Sequence, residues 1–269
     1  MAKTKLVGIL NITPDSYYES SRTLDIDTAV AKALQIEADG ADILDIGGES
    51  TRPGSPLVSE KEELSRVIPV IEHLRHKLSI PISIDTIKPN VAKAAVEAGA
   101  SMISDITGFS HPDMIGLAQK KDLDICVVHM QGTPETMQQN PCYPDGVVHS
   151  LMQWFKEKII LLTNQGINPE RIILDPGIGF GKTVADNLEI VHNLPEFKQL
   201  GFRLFLGMSR KWFLGQILKK TTNDLLPATL AVNTIAIFNH VDMIRVHDVK
   251  EHRDIIDFID AYKLHCRGN

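Results

Sequence analysis

Two hydrophobic patterns alternate along the chain. Short runs, apolar almost throughout and rich in β-branched residues, are each followed by a polar or glycine-containing turn and then by a longer stretch of helical period. Eight runs read as strands: KLVGILNI at 5–12, DILDI at 42–46, PISID at 81–85, SMISDI at 101–106, DICVVHM at 124–130, RIILD at 171–175, FRLFLG at 202–207 and DMIRVH at 242–247. Between them, segments such as DTAVAKALQIEADG, SEKEELSRVIPVIEHLRHK, KPNVAKAAVEAGA and LPATLAVNTIAIFNH space their apolar residues for helices. Strands without a polar face are buried on both sides, and strands alternating with helices pair in parallel through right-handed crossovers. Eight such units in 269 residues predict a single (β/α)8 TIM barrel spanning 1–269. An open doubly wound sheet would carry a glycine fingerprint in its first turn, and NITPDSYYES has none.

Composition acts mainly by exclusion. With 28 Lys and Arg against 34 Asp and Glu, the formal charge is −6 and the cations are scattered, so no basic stripe for nucleic acid exists. Cys126, Cys142 and Cys266 are odd in number and lack metal-ligand spacing, which fits reduced thiols in a cytoplasm. The N-terminal run LVGIL is too short for a signal sequence and is stopped by Asn11 and Pro14. No stretch approaches the roughly 18 apolar residues of a membrane span.

A barrel builds its site from the C-terminal ends of its strands. Those ends read Asn11, Asp45, Asp85, Ser104 with Asp105, His129, Asp175, Ser209-Arg210-Lys211, and Arg245 with His247. Any one of them alone is most simply a helix cap or turn residue; such a series converging on one face reads as a site. Asp85 and Asp175 are acceptors suited to a ligand rich in N–H donors, such as a fused heterocycle with an amino group. Arg52, Lys211, Arg245 and His247 supply cations for phosphate-like oxygens. Asn11 and Asp45 offer oxygens to a hard cation such as Mg²⁺. GIGFGK at 177–182 lacks P-loop spacing; its glycines read as a tight loop presenting Phe180 to the site.

Seven segments, GILNITPDS, DIGGESTRPG, SIDT, HMQGTP, LDPGIGFGK, SRK and RVHDV, run in this order across almost the whole chain. Together they resemble the dihydropteroate synthase family. The resemblance implies condensation of (7,8-dihydropterin-6-yl)methyl diphosphate with 4-aminobenzoate, with Mg²⁺ as cofactor, in a cytoplasmic homodimer that needs neither membrane nor nucleic acid. It implies that Asp85 and Asp175 bind the donor edge of the pterin, Lys211 its carbonyl side, and Arg245 its ring face. Asn11, with Asp45, would hold Mg²⁺, while Arg52, Arg245 and His247 grip the diphosphate. Thr51, Arg52 and Pro53 would close over the aminobenzoate. Asp85, Lys211, Arg245 and His247 carry the catalytic role in this reading.

Three positions depart from the family pattern. The first loop reads TPDSYYESSR, with Tyr17, Tyr18 and Glu19 where the family has a glycine-containing TPDSFSDGG, which predicts a stiffer loop. Ser104 replaces a pterin-contacting asparagine, and a hydroxyl lacks the paired donor and acceptor of an amide. Trp212 stands where a serine would bind the aminobenzoate carboxylate. Two other readings keep the barrel: a methyltetrahydrofolate-type methyltransferase, which has no use for Arg52, Lys211 and His247 as diphosphate ligands, and a non-catalytic pterin binder, which only the altered loop and Trp212 favour.

Overall fold

The computed structural model describes residues 3–12, 22–51, 54, 55 and 57–266. Its strands are β1 (Lys5–Asn11), β2 (Ile43–Gly47), β3 (Ile82–Asp85), β4 (Met102–Asp105), β5 (Asp124–Val128), β6 (Ile172–Asp175), β7 (Arg203–Leu206) and β8 (Met243–Val246). All are parallel and pair in chain order, and β8 returns to β1 to close the barrel. The helices are α1 (Arg22–Ala38), α2 (Glu60–Leu74), α3 (Pro89–Ala98), α4 (Pro112–Lys121), α5 (Val147–Asn164), α6 (Val184–His192), α7 (Leu194–Lys198), α8 (Trp212–Leu218), α9 (Leu226–Phe238) and α10 (Val249–Cys266). Among the described residues, no helix is long and apolar enough to cross a membrane.

Local chemistry starts these helices where the sequence allows. Ser59 caps α2 by accepting the Glu62 N–H at 3.2 Å, with acidic residues filling the first turn. Pro89 and Pro112 open α3 and α4, where a missing N–H costs nothing. Thr183 and Asp186 form a reciprocal capping box at α6. Each strand ends within a few residues of its expected limit. DICVVHM, for instance, leaves the ladder after Val128, although the His129 N–H still donates to the Asp175 carbonyl at 2.9 Å.

Side chains alternate across each strand, and the two faces form two cores. Val7, Ile43, Met102, Cys126, Ile173, Phe205 and Met243 fill the bore of the barrel. Their chain neighbours Leu6, Leu44, Ile103, Ile125, Leu174, Leu204 and Ile244 pack outward beneath the helices. Two residues beyond Ile43, Met102, Ile173 and Met243 come Asp45, Ser104, Asp175 and Arg245. Strand period therefore places these polar groups on the bore side, one step above an apolar floor.

Candidate active site

A row of register runs across the rim from Asn11 to Gly47, Asp85 and Ser104. At its centre the Arg245 guanidinium lies between two carboxylates, with Nε 2.6 Å from Asp45 Oδ2 and Nη2 2.9 Å from Asp85 Oδ2. Asp45 is buried, and the bond to Arg245 offsets the cost of taking it out of water. The pairing gives Asp45 a further role: it anchors Arg245. Asn11, exposed at the mouth, keeps an amide oxygen that suits a cation bringing most of its ligands as phosphate oxygens and water, which is the habit of Mg²⁺.

Burial pushes the Asp85 carboxyl up to about 7, against the pull of Arg245 and reinforced by Asp45, Glu63 and Asp105. Asp175 is likewise raised by burial, with Lys211, the Gly177 N–H, Lys182 and Arg245 drawing it down. The Gly177 N–H donates to Asp175 Oδ1 at 2.8 Å. A Cβ at Gly177, whose φ is 68°, would stand 1.9 Å from the His129 carbonyl oxygen, so only glycine allows this approach of the β6 loop to the end of β5. Lys211 donates to the Ile178 carbonyl and lies 4.1 Å from the centroid of the Phe180 ring. Burial lowers its ammonium to about 8. Asp85, Asp175, Lys211 and Arg245 thus surround one rim, two carboxyl groups beside two cationic side chains.

Other expected residues fall differently. Asp105 has the opposite strand parity to Ser104 and faces away from the bore; its oxygens accept from Thr107 N, Thr107 Oγ1 and Phe109 N at 2.7 to 3.0 Å, making it a turn cap. Arg210 clamps Asp248 through two bonds of 2.8 and 2.7 Å, a structural tie outside the bore. His247 is exposed and shares a 2.9 Å hydrogen bond between Nδ1 and Ser209 Oγ. Ser104 is buried in the bore. Trp212 packs at the edge of the core beside Lys211, and its indole N–H has no hydrogen-bond partner among the described residues. Thr51 lines a cavity together with Asp85. Arg52, Pro53, Tyr17, Tyr18 and Glu19 lie outside the described residues.

Lys182 has no role in the sequence reading, yet it is fully buried behind the β6 loop. Its Nζ lies 3.0 Å from His129 Nδ1 and 3.0 Å from the Phe180 carbonyl. Burial, with Lys182 beside it, pushes His129 down to about 2, so the ring is neutral and can accept. Gln138, Tyr143 and Asn187 also bind the loop backbone, at Gly179 O, Gly181 O and Gly179 N. The terminal lysine of GIGFGK was the available signal, but a lysine after a glycine-rich turn ordinarily reads as solvated.

Burial lowers Lys182 to about 7. The folded chain therefore holds this proton less tightly than the unfolded chain does, and Lys182 makes the fold gain stability as pH rises from about 7 toward the ordinary lysine range. Lys211 acts in the same direction. In denaturant unfolding, wild type should gain on the order of 2 kcal/mol more than Lys182→Met between about pH 7 and 9. Equal pH slopes for the two proteins would contradict this.

The match to known proteins extends over the same span as the barrel. A model of the pterin binding enzyme family matches residues 7–247. A dihydropteroate synthase of Synechocystis sp. is 43% identical over 261 residues, covering 96% of this chain and 90% of that one. The structure of the Yersinia pestis dihydropteroate synthase in a sulfonamide drug complex superposes with a TM-score of 0.91 at 38% identity, covering 97% of this chain and 94% of the other. The Xanthomonas albilineans dihydropteroate synthase with 4-aminobenzoic acid gives a TM-score of 0.90 at 35% identity, with 97% and 93% covered. Sequence, barrel and rim agree, and the chain belongs to the dihydropteroate synthase family of pterin binding enzymes.

Proposed function

We propose that this chain condenses (7,8-dihydropterin-6-yl)methyl diphosphate with 4-aminobenzoate, giving 7,8-dihydropteroate and pyrophosphate. The observation that carries this reading is the rim, where Arg245 is held between Asp45 and Asp85 opposite Asp175 and Lys211. Two buried carboxylates provide acceptors for the amino and ring N–H groups of a pterin, and Lys211 provides a donor for its carbonyl. Arg245 and His247, with Arg52, would meet the diphosphate.

The arylamine nitrogen attacks the methylene carbon, the bond from that carbon to the diphosphate oxygen breaks, and the nitrogen then loses a proton to solvent. No side-chain nucleophile is needed, so the protein contributes positioning and charge. Asp85 stabilises positive charge that spreads through the pterin as the leaving group departs. Asn11 would hold Mg²⁺, which when bound would supply charge neutralisation for that leaving group. The unpartnered indole N–H of Trp212, next to Lys211, is the donor proposed for the aminobenzoate carboxylate. We assign the active form to a cytoplasmic homodimer.

Purified protein given the pterin diphosphate, Mg²⁺ and 4-aminobenzoate should release pyrophosphate only when the arylamine is present. Tight pterin binding without release would overturn the synthase reading and favour a binding protein. Equal release without the arylamine would identify a diphosphate hydrolase instead.

A further inference from the structure

Next to the mouth lies a charged cluster that the proposed chemistry does not use. After β2 the chain turns through Gly48, Glu49, Ser50 and Thr51. Gly48 packs against α2 so closely that a Cβ there would stand 2.7 Å from Val67 Cγ1 and 2.9 Å from Glu63 Cγ. Its carbonyl accepts Arg66 Nη1 at 2.7 Å. Glu49 folds back across the neck of the turn, where Oε1 accepts the Val58 N–H at 2.7 Å and Oε2 accepts Lys88 Nζ at 2.6 Å. The same ammonium lies 2.5 Å from Oε2 of Glu63, whose side chain is fully buried. One lysine therefore joins the turn after β2, helix α2, and the segment that leads from Asp85 into α3.

This is not an ordinary surface ion pair. The Lys88 side chain is 18% exposed and that of Glu49 11%, so solvent screens the cluster weakly. Against the penalty of burial, the bonds to Glu49 and Glu63 hold the ammonium above its ordinary value. Without Lys88, two carboxylates would face each other across the neck, and their repulsion would push the turn away from α2. Such a movement would reach substrate, because Ser50 and Thr51 form one wall of a cavity whose other wall includes Asp85 and Ile87. Lys88 lies three residues beyond Asp85, so it fixes the distance between the two walls.

We propose that Lys88 is a positioning residue for the second substrate, holding the Gly48–Thr51 turn at the spacing from Asp85 that the arylamine requires. This inference rests on the synthase reading given above. Glu49 and Glu63 are the two arms through which it acts.

The test compares Lys88→Met, which keeps the length of the stem and removes every donor, with Lys88→Arg, which can still bridge two carboxylates. Lys88→Met should raise the KM for 4-aminobenzoate about tenfold while leaving the pterin dissociation constant within about twofold, and Lys88→Arg should recover most of the loss. Glu49→Gln, which keeps an oxygen for the Val58 N–H and loses the charge pair, should show the same split at smaller size, and it serves if Lys88→Met does not fold. Equal losses for both substrates, or a lowered Tm with unchanged constants, would overturn the role and leave Lys88 as a support of the fold alone. A wild-type protein that releases no arylamine-dependent pyrophosphate would overturn the reaction and this role together. Normal wild-type turnover with unsplit constants would overturn only the role of Lys88.

Discussion

Arg245→Met is expected to lose stability and activity together, and to lose more stability as the pH rises. The substitution removes the shared cation of Asp45 and Asp85 and leaves two carboxylates at the barrel mouth without a partner. Breaking a buried pair from one side costs about 3–5 kcal/mol, because the remaining charge is stranded in a poor solvent. Asp85 already favours its proton through burial, and without the pull of Arg245 it would hold that proton to higher pH. A carboxyl whose folded pKa is raised loses stability as pH climbs through the gap between its unfolded and folded values. Denaturant unfolding should therefore show a deficit that deepens toward alkaline pH and shrinks on acidification. A variant that unfolds like wild type at pH about 8 would mean that neither carboxylate is stranded without Arg245, and would overturn this account.

Asp85→Asn should lower kcat/KM by about 10²- to 10³-fold while leaving a folded protein, since an amide occupies the same space but loses the charge and exchanges one acceptor oxygen for a donor. In wild type, the ionised acceptor exists only above the raised pKa of about 7, so kcat/KM should fall on the acid side of that value. The variant should lack this limb. The same shift has a second readout that does not depend on substrate. Wild-type stability should decline as pH rises from the ordinary carboxyl range through about 7, and the asparagine variant should not share that decline. An unchanged acid limb in the variant would move the titration to another group on the rim.

Local pattern carried the fold because parallel strands in a barrel are apolar on both faces, and that signature is readable wherever a run such as RIILD or DMIRVH occurs. It carried part of the site for a related reason: Asp45, Asp85, Asp175 and Arg245 stand at strand ends with bore-facing parity. Parity also explains Asp105, which has the same neighbourhood in sequence but faces the other way and caps its own turn. What could not be read locally is pairing. Arg245 and Asp45 are 200 positions apart, and nothing near either residue announces the other. Lys88 and Lys182 were missed because a lysine beside a turn is ordinarily solvated, and only tertiary packing takes these two out of water.

The seam of the barrel has a consequence for the order of events during synthesis. β8 leaves the ribosome after the other seven strands of the barrel, and it both closes the ring against β1 and carries Arg245 to Asp45 and Asp85. Until it docks, the nascent chain holds those two acids with no guanidinium between them and leaves β1 as a raw edge. Assembly of the catalytic rim and completion of the ring are therefore one event, separated by most of the chain from the first strand and burdened with the closure entropy of that long loop. A chain cut short before Met243 would lack the geometry to bind its substrates, so premature termination yields an inert fragment instead of a partly working enzyme.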